Sequence, residues 1–196
     1  IEGSIFIAGA AIQWLRDGLK IISEASETED IAKGSNLEEK IYFVTAFTGL
    51  GAPYWDSDAR GAIYGLTRNS GSSEICRAAL ESVGFQSRDL LEAMICDAPH
   101  LNASILRVDG GMSASNWTMQ FLADIINLRV DRPKMLETTA LGVAWLAGSH
   151  VGFYLNKDNF SKNWEKDTRF EPQMNNKKRH SLFKGWKEAV KRTLLK

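Results

Sequence analysis

Ile105-Leu106-Arg107-Val108-Asp109-Gly110-Gly111-Met112-Ser113-Ala114-Ser115 is the stretch on which the fold turns. Its first four residues suit a short strand and the glycine pair suits a turn. The spacing of Trp117, Phe121, Leu122 and Ile125 behind them predicts an amphipathic helix beginning near Ser113. In a strand, glycine turn and helix start, backbone can approach a ligand with no Cβ in the way, and free N–H groups of the first helical turn attract phosphate. Glycine pairs also simply end strands, so the unit needs support from elsewhere in the chain.

That support lies on both sides. Residues 3–9, Gly-Ser-Ile-Phe-Ile-Ala-Gly, read as a second strand closing on glycine, and residues 10–22 carry helical spacing with Ile12, Leu15, Leu19 and Ile22 on one face. Downstream, Leu128-Arg129-Val130 reads as a strand and Pro133 as its stop. Residues 139–149, rich in alanine and glycine, predict a helix that approaches a neighbour closely. Alternating strands and helices indicate an α/β fold, in which ligands gather beyond the carboxyl ends of strands. Gly9 and Gly111 each follow a strand and precede a helix, so their turns are expected to face one nucleotide cleft.

The remaining segments are read more simply. Residues 23–40 are acidic and polar, and predict a surface connection with a helical turn or two, capped by Ser26 or Ser35 and carrying no chemistry. Residues 41–44 and 61–66 suit strands. Between them lies a turn-rich loop, Thr48-Gly49-Leu50-Gly51-Ala52-Pro53-Tyr54-Trp55-Asp56, whose aromatic rings are expected to find apolar cover. Ser72 or Ser73 is expected to cap a long helix reaching Ile95, with Glu74 in its first turn and Gly84 at its middle for close packing. Residues 150–176 look loop-like, and residues 177–195 predict a basic amphipathic helix with Leu182, Phe183, Trp186, Ala189, Val190 and Leu194 inward.

A chain of 196 residues, 44% hydrophobic and 24% charged, can bury the core of one globular domain. Lys plus Arg equals Asp plus Glu at 24 each, so no global field draws it to nucleic acid or an anionic membrane. No apolar run approaches the roughly 20 residues of a membrane span, and the N-terminus lacks a secretory pattern, which makes the cytoplasm the expected location. Cys76 and Cys96 fall near the two ends of one predicted helix, about 30 Å apart, and are expected to be free and buried. No Cys or His pair has metal-ligand spacing, and His100, His150 and His180 fall in loops or at helix ends. Asp131 follows Gly111 by 20 residues, as a ribose-binding acid of a dinucleotide fold would, but residues 110–115 lack that fingerprint's third glycine. Asp56, Asp58, Glu81 and Asp109 are the carboxylates near glycines. Asp109 is the best functional candidate among them, with a turn role ahead of a catalytic one.

Three segments together resemble the C-terminal part of the FGGY carbohydrate kinase family: Phe47-Thr48-Gly49-Leu50-Gly51-Ala52-Pro53-Tyr54-Trp55-Asp56, then Ala59-Arg60-Gly61-Ala62-Ile63-Tyr64-Gly65-Leu66-Thr67, then Asp109-Gly110-Gly111. The stretch from Gly61 through Gly65-Leu66 to Glu74-Ile75, Ala78 and Glu81 is similar to the family's second signature. The similarity covers nearly the whole chain, and the Gly-Leu-Gly-Ala-Pro-Tyr-Trp loop points to the branch acting on glycerol rather than on xylulose or gluconate. The resemblance implies two actin-like, ribonuclease-H-like ATPase domains around a deep cleft. Residues 1–196 would be the C-terminal, nucleotide-binding one, incomplete at its N-terminus.

It further implies ATP with Mg2+ as phosphoryl donor, ADP as product, and glycerol phosphorylated to sn-glycerol 3-phosphate by a cytoplasmic enzyme that is a homo-oligomer when intact. Position by position, Gly9 and Gln13 match nucleotide-binding residues, and Gly111, beside Gly110, matches a glycine that contacts nucleotide through backbone. Ser115 stands where the family usually has an asparagine that holds the nucleotide. Asn116 next to it would point about 100° away around a helix. The family's first phosphate loop, catalytic aspartate and polyol contacts fall before Ile1, so the resemblance implies no catalytic residue here and no kinase activity for the chain alone. Other FGGY kinases, a non-catalytic actin- or chaperone-like ATP-binding module, and a partner-binding fragment without nucleotide affinity are the alternatives.

Overall fold

The fold is built around its longest helix. In the computed structural model, which describes residues 4–100, 103–154 and 164–194, α3 (Ser72–Asp97) has neighbours on both sides. Helices α1 (Gly9–Asp17) and α2 (Glu27–Lys33) and strand β1 (Tyr42–Val44) pack against one part of it, and α4 (Asn116–Ile126) against another. Its start is fixed by Glu74, whose carboxylate accepts the N–H groups of Gly71 at 2.8 Å and Asn36 at 2.9 Å. The cap is therefore Gly71 with Glu74, not Ser72 or Ser73, which are the first two residues inside the helix: the acid in the first turn reaches back to the N–H of the cap residue itself.

Gly84 faces α4 at the tightest part of the crossing. A Cβ there would stand 2.7 Å from Phe121 Cδ1 and 3.2 Å from Ile125 Cγ2, so the mid-helix glycine lets two helices meet, as expected. Around that contact Phe85 stacks on Trp186 with ring centroids 5.2 Å apart and meets Phe121 edge-on at 5.1 Å. A second cluster, Ile12, Leu15, Phe43, Cys76 and Ala79, seals α1 against α3 and β1.

Strand β1 pairs antiparallel with β2 (Ala62–Tyr64). Strand β3 (Ile105–Arg107) runs parallel to β4 (Arg129–Pro133), with Ile105 opposite Arg129 and Leu106 opposite Val130, and α4 makes the crossover between them. A strand not expected from the sequence, β5 (Lys166–Phe170), pairs antiparallel with β4. Its Lys-Asp-Thr-Arg-Phe composition hides it, because an edge strand carries charge outward and only Phe170 is buried. Helix α5 (Thr138–His150) follows β4, and α6 (Asn176–Thr193) closes the core with Phe183, Trp186, Ala189 and Val190. Residue 195 of the expected final helix lies outside the described residues.

Other expectations change. Residues 4–8 form no strand: the Ile7 carbonyl accepts Gln86 Nε2 at 3.1 Å instead of a ladder N–H, and Gly3 lies outside the described residues. Helix α1 stops at Gly18, so Leu19 is exposed while Ile22 is buried from the following loop. The small residues of α5 meet little among the described residues. None of its side chains is buried, a Cβ on Gly142 would touch nothing within 4 Å, and only Gly148 lies close to Tyr154. Tyr54 folds back to donate to Asp89 at 2.7 Å, whereas Trp55 remains 73% exposed. Cys76 is buried as expected, but Cys96 is exposed in the last turn of α3. No described helix is long and apolar enough to cross a membrane.

Candidate functional site

The turn after β3 is tighter than a simple helix start. Gly110 adopts φ 78°, a left-handed conformation that glycine reaches without strain, and a 3-10 turn, Gly111–Ala114, precedes α4. Ser115 is the N-cap of α4: its hydroxyl accepts the Thr118 N–H at 3.1 Å. The same hydroxyl donates to Glu29 Oε2 at 2.9 Å and lies 3.1 Å from Thr118 Oγ1, so its one donor and both acceptor positions are engaged. Glu29, on α2, also accepts the Trp117 N–H at 3.3 Å. The first turn of α4 thus carries its own carboxylate. The N–H groups expected there for phosphate are largely used, and those of Gly111 and Met112, which open the 3-10 turn, are the better donors.

The start of α1 lies opposite. Its cap position, Ala8, makes no side-chain hydrogen bond and its first turn has no acid, so its leading N–H groups carry the partial positive end of a helix unopposed from within. Gly9 faces the 3-10 turn closely enough that a Cβ would sit 3.6 Å from Met112 Cγ. Between the two turns runs a cleft of about 750 Å³, lined among others by Gly9, Gln13, Arg16, Glu29, Asp109, Gly110, Gly111 and Ser115. That volume falls in the range of small-molecule sites. The five residues expected at the nucleotide, Gly9, Gln13, Gly110, Gly111 and Ser115, all line it, although about 100 positions of sequence separate Gly9 from Gly111.

The cleft has little side-chain positive charge. Arg16 is held by Asp17 at 2.8 Å, and the Thr138 hydroxyl donates to Asp109, which ties the start of α5 to the turn after β3. Burial works against ionisation of Glu29, yet hydrogen bonds from Ser115, Trp117 and Lys33 outweigh it and hold this carboxyl below its ordinary value. Asp131 does not reach the cleft. It is buried and takes Arg169 Nε and Nη2 at 2.6 Å each across the β4–β5 ladder, which removes it as a ribose ligand. Asp56 accepts the N–H groups of Asp58 and Ala59 as a turn residue, and Asn116 points away to Arg132 Nη1 at 2.9 Å.

Residues 1–151 match the FGGY family of carbohydrate kinases, C-terminal domain. The chain belongs to that family. A glycerol kinase of Rhizobium meliloti (strain 1021) is 59% identical over 196 residues, covering 100% of this chain and 39% of that protein. The crystal structure of Plasmodium falciparum glycerol kinase with ADP matches at TM-score 0.86 and 39% identity, over 99% of this chain and 38% of that one. Gluconate kinase from Lactobacillus acidophilus, at TM-score 0.78 and 23% identity over 97% of this chain and 39% of that one, shares the fold. The α/β architecture is thus the actin-like C-terminal domain of an FGGY kinase, and the chain spans about two fifths (39%) of the length of the curated relatives it matches.

Within this FGGY domain, the residue that sequence reasoning missed is Glu29. Residues 23–40 look like a solvated connection, but Thr28 and Ala32 are buried against the core and Ala25, Ser26, Thr28 and Glu29 line the cleft. Ser26 stands at the N-cap of α2 as expected, but Ser35 lies beyond the helix. Ser26 makes no capping bond, and Ser35 accepts from Arg77 Nη1 at 3.3 Å. The available signal is the spacing of Thr28 and Ala32, which puts two small residues one turn apart on a short acidic helix.

Proposed function

We propose that the protein to which this FGGY domain belongs transfers the γ-phosphoryl group of ATP to the terminal hydroxyl of glycerol, and that this chain supplies the nucleotide side of the site. The convergence of Gly9, Gln13, Gly110, Gly111 and Ser115 on one cleft, in a chain 59% identical to a glycerol kinase, carries this conclusion. Phosphoryl transfer needs in-line positioning and stabilisation of phosphate charge more than covalent help from the protein. With Glu29 and Asp109 in the cleft and Arg16 engaged, the N–H groups of the α1 start and of Gly111 are the donors suited to phosphate.

Gln13, exposed one turn along α1 from Gly9, offers an amide able both to donate to and to accept from a nucleoside. Mg2+ would bridge the phosphates of the nucleotide and neutralise their charge. The same family reading makes the intact enzyme a cytoplasmic homo-oligomer whose polyol contacts and catalytic base belong to the other part of the protein. Calorimetry with ADP and a coupled assay with glycerol, ATP and Mg2+ test the division of labour: the isolated chain binds ADP and shows no turnover. Turnover near that of an intact kinase would remove the assignment of catalysis to the rest of the protein, and absence of ADP binding would remove the site.

A further inference from the structure

Glu29 lines the nucleotide cleft with 20% of its side-chain surface open. Its Oε2 is filled from behind, by the Ser115 hydroxyl at 2.9 Å and the Trp117 N–H at 3.3 Å. Its Oε1 meets, among the described residues, only Lys33 Nζ at 3.2 Å, and that ammonium, itself 54% exposed, lies closer to Asp30 at 2.8 Å. A carboxylate offers about four acceptor positions, so one on Oε1 stays free. Ser115 has none to offer. Its hydroxyl lines the cleft with its donor and both acceptor positions engaged.

The charge of Glu29 decides what it can meet. Burial raises its carboxyl, but the hydrogen bonds from Ser115, Trp117 and Lys33 outweigh burial, so it is ionised at neutral pH and can only accept. A nucleoside diphosphate brings it either phosphate oxygens, which it repels, or hydroxyl and amino donors, which it binds. The N–H groups suited to phosphate are those at the start of α1 and at Gly111. Glu29 holds the far end of the 3-10 turn at Ser115, four residues beyond Gly111, which is roughly 8 Å at about 2.0 Å per residue. Past its phosphates, the first donors of a nucleotide are the 2′ and 3′ hydroxyls of ribose, and the amine of the base lies a ring system further on. On the nucleotide reading of this cleft, on which the assignment rests, we infer that Glu29 is a specificity-determining residue. Its Oε1 accepts a ribose hydroxyl, so the domain selects ribonucleotides, and Ser115 is the positioning residue that holds the carboxylate in place.

Calorimetric titration of the full chain with ADP and with 2′,3′-dideoxy-ADP tests this, because the two ligands differ only in those hydroxyls. The parent should bind ADP at least about tenfold more tightly, as for a hydrogen bond to a charged acceptor. Glu29→Ala should bring the two affinities within about twofold. Glu29→Gln, nearly isosteric, covers the case in which the alanine variant does not fold. Its amide oxygen stays with Ser115 and Trp117 and leaves a neutral NH2 toward the cleft, so the preference for ADP should fall at least about threefold. A Glu29 that served only the start of α4 would weaken both ligands in proportion and leave their ratio unchanged. Equal binding of the two ligands by the parent, or an unchanged ratio in Glu29→Gln, would overturn the assignment. Inosine diphosphate keeps the sugar and replaces the base amine by a carbonyl. If its disadvantage against ADP, rather than that of the dideoxy ligand, collapses in Glu29→Gln, the contact is with the base and the assignment is lost. Absence of binding by every nucleotide fails the cleft reading and this assignment with it, whereas equal binding fails this assignment alone.

Discussion

Substituting the two glycines of the β3 turn separates a residue needed by the fold from one needed by a ligand. A Cβ on Gly111 would meet nothing within 4 Å, and its φ lies outside the left-handed region, so Gly111→Val adds a branched side chain to open cleft space. The folded state should change by no more than about 0.5 kcal/mol, as for other surface positions, with some gain from a stiffer unfolded chain. Gly110 is equally uncrowded but sits at φ 78°, so Gly110→Ala should cost about 1–2 kcal/mol through backbone strain alone. For a domain of this size that is roughly a 2–8 °C fall in the thermal midpoint. Calorimetric titration with ADP and a thermal melt on each variant give the comparison. Gly111→Val should melt with the parent yet bind ADP at least about tenfold more weakly, a change of about 1.4 kcal/mol, because the valine occupies the phosphate path. Gly110→Ala should melt lower. Equal ADP affinity in Gly111→Val would show that the glycine serves only the turn. A larger melting loss at 111 than at 110 would refute the conformational argument.

Gly84→Ala should destabilise by about 1–2 kcal/mol in urea titration although alanine is the better helix former, because its methyl would stand 2.7 Å from the buried Phe121 ring. Asp89, 2% exposed, accepts from Tyr54 Oη, Trp186 Nε1 at 2.6 Å and Lys187 Nζ at 2.8 Å. Asp89→Ala should therefore cost about 3 kcal/mol by the same titration and quench-shift the Trp186 fluorescence. Burial, only partly offset by Arg77 and Lys178, pushes the Glu81 carboxyl up to about 7. The folded state then holds a proton that the unfolded chain releases near its ordinary value of about 4.3, so this group lowers stability progressively as pH rises from there to about 7. Glu81→Gln should gain on the parent across that window and run parallel to it above, as read from unfolding midpoints in a pH series.

Much of this architecture is written locally. The apolar spacing of residues 105–126 and the long periodic stretch of α3 lead to βα units because burial and period agree there, and Gly84 stands out because a glycine inside a good helix needs a neighbour to justify it. The convergence of Gly9 and Gly111 on one cleft is as expected, although not by two strand ends: Gly9 opens α1 with no strand before it, and Gly111 opens the 3-10 turn after β3. What stayed hidden depends on partners distant in sequence. Strand β5 exists because β4 offers it a ladder and Arg169 finds Asp131, neither of which is visible in Lys-Asp-Thr-Arg-Phe. Glu29 joins the cleft only because α2 packs on α3, and the small residues of α5 signal a close approach that the described residues do not make. Similarly, Ser72 and Ser73 fall inside α3 because Glu74 in its first turn accepts the Gly71 N–H, and Ser35 is drawn to Arg77, 42 residues away.

The hydrogen bond from Ser115 to Glu29 links positions 86 residues apart, and it makes them epistatic. Replacing the serine by asparagine, Ser115→Asn, alters at once the cap of α4, the partner of a charged carboxylate and the wall of the cleft. Its effect should therefore differ in sign or size between a background with Glu29 and one with glutamine there, and a library that varies either position alone will misjudge both. Exchange at Ser115 is thus tied to α2 as much as to the glycine turn, and a double-mutant cycle of Ser115→Asn with Glu29→Gln should read it as non-additivity.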